Sequence, residues 1–195
     1  MRNNQVTLSG TVASEFIFSH EYLGEKFFTA YVEVVRSSEA VDRLPVMFSD
    51  RIINTNDNYT NQAINILGEF RSYNMPDTHR NRLVLYIFVL GYELIGESEN
   101  INDAAMEGYI CKKPIYRKTP LGREIADVIL AVHRTYGRSD YIPCIFWGRN
   151  ARYVETLEVG TQLSVNGRIQ SREYTKNDEK KTAYEFSVSA LELIE

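Results

Sequence analysis

The sequence predicts an all-β protein with short helices, built as two tandem five-stranded barrels. Three observations carry this. Apolar residues recur with period two in segment after segment, as alternate side chains of a strand must when one face is buried. The two halves overlay on one another. A polar segment, Gly96 to Asp103 (GESENIND), lies between them.

The overlay uses a shift of 98 residues, rising to 99 after one loop. Gly10 falls on Gly108, Gly24 on Gly122, Val34 on Val132, Arg36 on Arg134, Pro45 on Pro143, Phe48 on Phe146 and Arg51 on Arg149. Further on, Gly68 falls on Gly167, Ser72 on Ser171, Val89 on Val188 and Leu94-Ile95 on Leu193-Ile194. So many matches with one indel indicate two copies of one β-rich unit. The expected division is 1–95, a linker 96–103, and 104–195.

Each copy shows the same order of elements. Copy one has strand patterns near Gln5–Val12, Lys26–Arg36, Arg43–Ser49, Asn65–Tyr73 and Arg82–Leu94. Copy two has them near Met106–Tyr116, Arg123–Arg134, Asp140–Trp147, Gln162–Tyr174 and Thr182–Leu193. A weak helical segment precedes the fourth strand each time, near Ile52–Ala63 and Asn150–Leu157. Asn54, Asn56, Asn58 and Asn61 disfavour a regular helix in copy one, so a loop or frayed helix is expected there. Asn177-Asp178 marks the tip of the last hairpin. Five strands with a helix between the third and fourth is the OB-fold arrangement.

No stretch of eighteen apolar residues is present, so no transmembrane helix is expected. The start, MRNNQVTLSG, lacks the basic and apolar regions of a secretory signal. Cys111 and Cys144 read as reduced thiols, and the expected location is cytoplasmic and nucleoid-associated. The net charge of −4 divides unevenly: residues 1–103 carry 8 Lys+Arg against 14 Asp+Glu, residues 104–195 carry 14 against 12. The second half is therefore where an anionic partner is expected.

Within it, Gly108 to Arg149 interleaves cations with rings on and between two strand patterns. A single-stranded nucleic acid needs that mixture, cations for its phosphates and flat rings for its unpaired bases. On the strand 140–147, Tyr141, Pro143, Ile145 and Trp147 share one face, and Ile142, Cys144 and Phe146 form the core row on the other. Pro143 cannot donate to a ladder, which marks an edge or a bulge. In the fourth strand Leu163, Val165, Gly167 and Ile169 alternate with Asn166, Arg168, Gln170, Arg172 and Tyr174. The alternating outward rows predict a nucleic-acid-binding surface. Its candidate residues are Arg117, Lys118, Arg123, Arg134, Tyr136, Arg138, Tyr141, Trp147, Arg149, Arg168, Arg172 and Tyr174.

Copy one keeps the apolar positions and loses the candidate stacking ones. Tyr141 becomes Arg43, Trp147 becomes Ser49, Tyr136 becomes Ser38, Arg168 becomes Glu69 and Tyr174 becomes Met75. Copy one therefore reads as a barrel with a degenerate binding face. Phe16, Phe18, Tyr22, Phe27 and Tyr73 remain as its aromatic candidates.

The set Gly108, TPLGRE (119–124), LAVHRTY (130–136), DYIPCIFWGR (140–149) and GRIQSREY (167–174) resembles the bacterial single-stranded DNA-binding protein family, over about the last ninety residues. The resemblance implies an OB-fold and a non-catalytic protein that holds unpaired DNA in replication, repair or recombination. It also implies stacking aromatics at strand ends, here Tyr136, Tyr141, Trp147 and Tyr174. OB domains of that family work in fours, which implies a homodimer of this two-domain chain. Family members usually carry a flexible tail with an acidic tip. This sequence stops after the last strand pattern, so recruitment of partners through such a tail is not expected. A second reading keeps the fold and makes the chain a protein-binding adaptor of a replication-restart or mobile-element complex.

Catalysis finds no support. His20, His79 and His133 are scattered, and no P-loop, GxGxxG or HExxH motif occurs. Asp127, Asp140 and Glu173 stand singly, without the carboxylate clustering of a metal-dependent nuclease. No metal or cofactor is expected.

Overall fold

The computed structural model describes residues 3–75, 82–135, 137–176 and 178–194. Among them are twelve strands and one short helix. Two compact units emerge. One comprises residues 6–70 and 85–102, the other residues 1–5, 71–84 and 103–195. They are called here the first and second barrel.

The first barrel draws on β1 (Asn4–Val12), β2 (Ile17–Tyr22), β3 (Glu25–Val35), β4 (Val41–Ser49), β5 (Ala63–Met75) and β6 (Arg82–Ile95), of which residues 4–5, 71–75 and 82–84 belong to the other unit. The second is built from β7 (Asn102–Ile110), β8 (Ile115–Lys118), β9 (Glu124–His133), β10 (Ser139–Trp147), α1 (Gly148–Glu155), β11 (Gln162–Lys176) and β12 (Glu179–Leu193). Strand order is β2-β3-β4-β6-β5-β1 in one and β8-β9-β10-β12-β11-β7 in the other. Pairing of β1 with β3, and of β7 with β9, closes each sheet into a barrel. The one parallel pairing in each is between the third and fifth barrel strands, β4 with β6 and β10 with β12. The two copies thus share the OB topology inferred from the repeat.

Closure depends on glycine at one place per barrel. A Cβ on Gly108 would lie 2.9 Å from the carbonyl oxygen of Ala131, and one on Gly10 would lie 2.6 Å from that of Glu33. The first strand bends here so that it can bond to both the second and the fourth, and the backbones meet too closely for a side chain.

The cores follow parity. In the second barrel Val128, Leu130, Val132, Ile142, Cys144, Phe146, Leu163, Val165, Ile169 and Phe186 are buried. Helix α1 caps the barrel with Ala151 and Val154, three residues apart on one face and both fully buried. It starts two residues before the predicted helical segment. In the first barrel residues 50–62 form turns with no helix. Asn54 and Asn58 side chains accept the backbone N–H groups of Asn56 and Thr60, supplying bonds that a helix would otherwise make. Ile53 and Tyr59 fill the space beneath.

Two strand expectations need correction. β2 was not expected, because all six of its residues are exposed and the segment shows no alternation. It exists as a ribbon against β3, turned by Leu23 and Gly24, both at positive φ. The expected strand Met106–Tyr116 is two, β7 and β8, since Lys112-Lys113-Pro114 interrupts it and Pro114 has no N–H for a ladder. Of the last hairpin's expected tip, Asn177 lies outside the described residues, and Asp178 has φ of 61°.

Candidate nucleic-acid interface

Register decides which side chains share the outer face of the second barrel. Trp147 opposes Ile125, which opposes Arg117. Ile145 opposes Asp127 on one side and Ser187 on the other, and Ser187 opposes Arg168. Gln170 opposes Glu185, Arg172 opposes Ala183 and Tyr174 opposes Lys181. Opposed residues point to the same side of a sheet. So Arg117, Tyr141, Trp147, Arg168, Arg172 and Tyr174, drawn from three strands, lie on one face.

The rings on it are partly open. Tyr141 is 44% exposed and Tyr174 37%. Trp147 is half-buried, and its indole N–H donates to Ser187 Oγ at 3.1 Å. That bond crosses from β10 to β12 and ties the indole to the outer face rather than the core. Ile145 shares the face but is buried between these neighbours. The Arg172 guanidinium sits 5.9 Å from the Tyr174 ring centroid, within cation–π range.

The cations are less free than the sequence suggests. Arg117 forms a two-point ion pair with Asp127, at 2.7 and 3.3 Å, and that pairing raises the arginine's pKa. Arg172 Nε lies 3.5 Å from Glu185 Oε1, which also accepts a 2.7 Å hydrogen bond from Gln170 Nε2. The Nε of Arg168 is buried and has no hydrogen-bond partner. Neither Glu185 nor the effect of Asp127 was anticipated. Alternation of Glu185 and Ser187 with the buried Phe186 and Val188 was the available signal.

Other predicted residues lie elsewhere. Lys118 opposes Glu124 and falls on the opposite parity from Arg117. Arg123, Arg138 and Arg149 are exposed at turns and at the start of α1. Tyr136 lies outside the described residues. Arg134 does not reach the face at all. Its Nε donates to Asp140 Oδ2 at 2.6 Å, its Nη2 also donates to Asp140 Oδ1, and Asp140 is buried. Asp140 in turn accepts from the Ser72 N–H at 2.5 Å, while Arg134 Nη2 donates to the Ser72 carbonyl at 3.0 Å and the Tyr141 N–H to Ser72 Oγ at 2.8 Å. Arg134 is a structural cation that neutralises a buried carboxylate. Arg36 and Asp42 make the equivalent pair in the first barrel.

The first barrel's corresponding face is not bare of rings. Ser49 replaces the tryptophan, and the strands on either side supply Phe27 and Phe88, with centroids 6.0 Å apart. His20 stacks on Phe27 at 4.8 Å, and Arg43 lies 4.9 Å over the Tyr31 ring. Phe27 is among the aromatic candidates of the sequence, whereas Tyr31 and Phe88 are not, because the overlay compares position with position and these rings have no aromatic counterpart in the second copy.

Among the described residues no group of three or more His, Cys, Asp or Glu is placed to hold a metal ion. No described helix is long and apolar enough to cross a membrane.

Residues 101–194 match the model of the Single-strand binding protein family. "Single-stranded DNA-binding protein 2" of Listeria monocytogenes is 35% identical over 88 residues, covering 42% of this chain and 55% of that protein. "Single-stranded DNA-binding protein A" of Bacillus subtilis is 36% identical over 81 residues, covering 38% and 47%. The chain thus spans about half the length of the curated relatives it matches. The wild-type single-stranded DNA binding protein from Thermus aquaticus superposes with a TM-score of 0.82 at 17% identity, covering 100% of this chain and 95% of that one, a likeness of fold. The similarity to the single-strand binding protein family thus lies in the second half of the chain, residues 101–194.

Proposed function

We propose that this protein binds single-stranded DNA without catalysis, holding unpaired strands during replication, repair or recombination. The observation that supports it best is the outer face of the second barrel, where Tyr141, Trp147 and Tyr174 stand with Arg117, Arg168 and Arg172. Bases stack on the rings, and the strand's phosphates run past the guanidinium groups and the exposed Lys118, Arg123, Arg138 and Arg149 around them. The first barrel's Phe27, Tyr31 and Phe88 offer a second, less basic stacking surface. The chain works in the cytoplasm, at the nucleoid, as a homodimer that presents four barrels.

The test is titration of labelled single-stranded and duplex oligonucleotides over a series of salt concentrations. The expected result is strong preference for the single strand, quenching of the sole tryptophan, and affinity that falls with salt. A Kd of about 10⁻⁴ M or weaker for both forms at moderate salt, the non-specific range, overturns it. That outcome favours the adaptor reading, which one observation supports: the β2–β3 ribbon exposes Ile17, Phe18, Tyr22 and Leu23 together. Light scattering that shows only monomers removes the dimer and leaves the binding.

A further inference from the structure

We infer that Asp127 and Glu185 are built-in counterions of the second barrel's face, and that they make it select ligands by stackable bases rather than by negative charge. This rests on the function proposed above and concerns the same face. A site for a polyanion ordinarily leaves its arginines in water with mobile counterions. Their release on binding supplies the affinity and the salt dependence. Here two of the three guanidinium groups on the face already hold protein carboxylates.

The two pairs differ in kind. Asp127 takes Arg117 through both of its oxygens, and the pair is about half exposed, 49% and 40% for the two side chains. Glu185 is only 12% exposed. Gln170 donates to it at 2.7 Å, Arg172 lies against it, and Arg117 feels its charge as well. This carboxylate is packed into the sheet and cannot swing aside into solvent. A phosphate that approaches Arg172 meets a fixed negative charge in the same shell. It gains little net attraction and displaces few ions. The rings of Tyr141, Trp147 and Tyr174 carry no such handicap.

The first barrel gives the contrast. The repeat places Thr29 where Asp127 stands and Tyr86 where Glu185 stands. The barrel itself therefore does not require acids at these places. They belong to the second face, where the arginines are.

The test compares wild type with Asp127→Asn, Glu185→Gln and the double variant, both changes keeping shape and hydrogen-bonding capacity. Circular dichroism checks the fold. Affinities are measured for a single-stranded oligonucleotide, a duplex, and heparin as a polyanion without bases, each over a salt series. The double variant is expected to bind heparin and duplex at least tenfold tighter, with a smaller gain for the single strand. Its single-strand salt slope should steepen by about 1.4, two phosphates at ~0.7 each. An unchanged slope together with unchanged heparin affinity overturns the inference. Weaker binding of all three ligands also overturns it and makes the carboxylates positioning residues for Arg117 and Arg172. Failure of wild type to bind single strands sinks the proposed function, while the heparin comparison still reads the counterion effect.

Discussion

Trp147 and Ser187 are joined across β10 and β12 by an indole-to-hydroxyl hydrogen bond of 3.1 Å. The bond fixes the indole on the outer face, with one ring edge anchored and the ring itself half-buried. Two substitutions separate the ring from its anchor. Trp147→Ala should weaken single-strand binding by about 5- to 150-fold, since a base–aromatic stack is worth ~1–3 kcal/mol. Trp147→Phe should keep much of the stack, and Ser187→Ala should loosen the ring with a smaller loss. Oligonucleotide titration reads the affinities, and unchanged circular dichroism of Trp147→Ala shows that the ring is not core.

Tyr174 stands at the far end of β11, with Arg172 over its ring. Tyr174→Ala should weaken binding without unfolding the barrel, again by roughly the ~1–3 kcal/mol of one stack. Arg134→Ala should behave in the opposite way. It removes the cation that neutralises buried Asp140, so it should destabilise the second unit by about 3–5 kcal/mol. Urea denaturation checks the stability. Retained stability of Arg134→Ala with lost binding would return Arg134 to the binding surface.

Gly167 sits at a register shift between β11 and β12, where a Cβ would come 2.0 Å from the carbonyl oxygen of Ser187. Gly91, on β6, has open space around the same position. Gly167→Ala should therefore cost at least the ~1–3 kcal/mol of an overpacked site, and Gly91→Ala far less. The denaturation midpoints of the two variants compare them directly.

Burial pushes the Cys144 thiol above the ordinary thiol range. The folded state keeps a proton that the unfolded chain loses above about pH 8.5. This group's contribution is full below that pH and declines as pH rises above it. The slope is at most ~1.4 kcal/mol per pH unit. Cys144→Ala should be less stable at pH 7 through its lost packing but fall less steeply between pH 8.5 and 10. Cys111, whose thiol is also raised by burial but is only half-buried, should react first with a thiol reagent.

Much of this protein was legible in its order of residues. Period-two alternation located ten of the strands in substance, because burial of one face imposes it. The overlay of Gly10 with Gly108 located the point of barrel closure, because no side chain fits there. Alternation also placed Tyr141 and Trp147 opposite Phe146 correctly. β2 escaped notice because nothing covers it, and a strand without a buried face has no periodic signature. Arg134 was grouped with the binding cations because a charge in sequence does not reveal its partner. Asp140 follows it by six residues across a turn.

Sequence by itself determined the barrel strands, their inward rows and the duplication, since each of these is local or repeats at a constant spacing. Only the tertiary structure decided which carboxylate meets which guanidinium, and that two phenylalanines flank the serine in the first barrel. Those facts depend on strand register between segments far apart in the chain, and a shift of one residue would turn every one of these side chains to the other face.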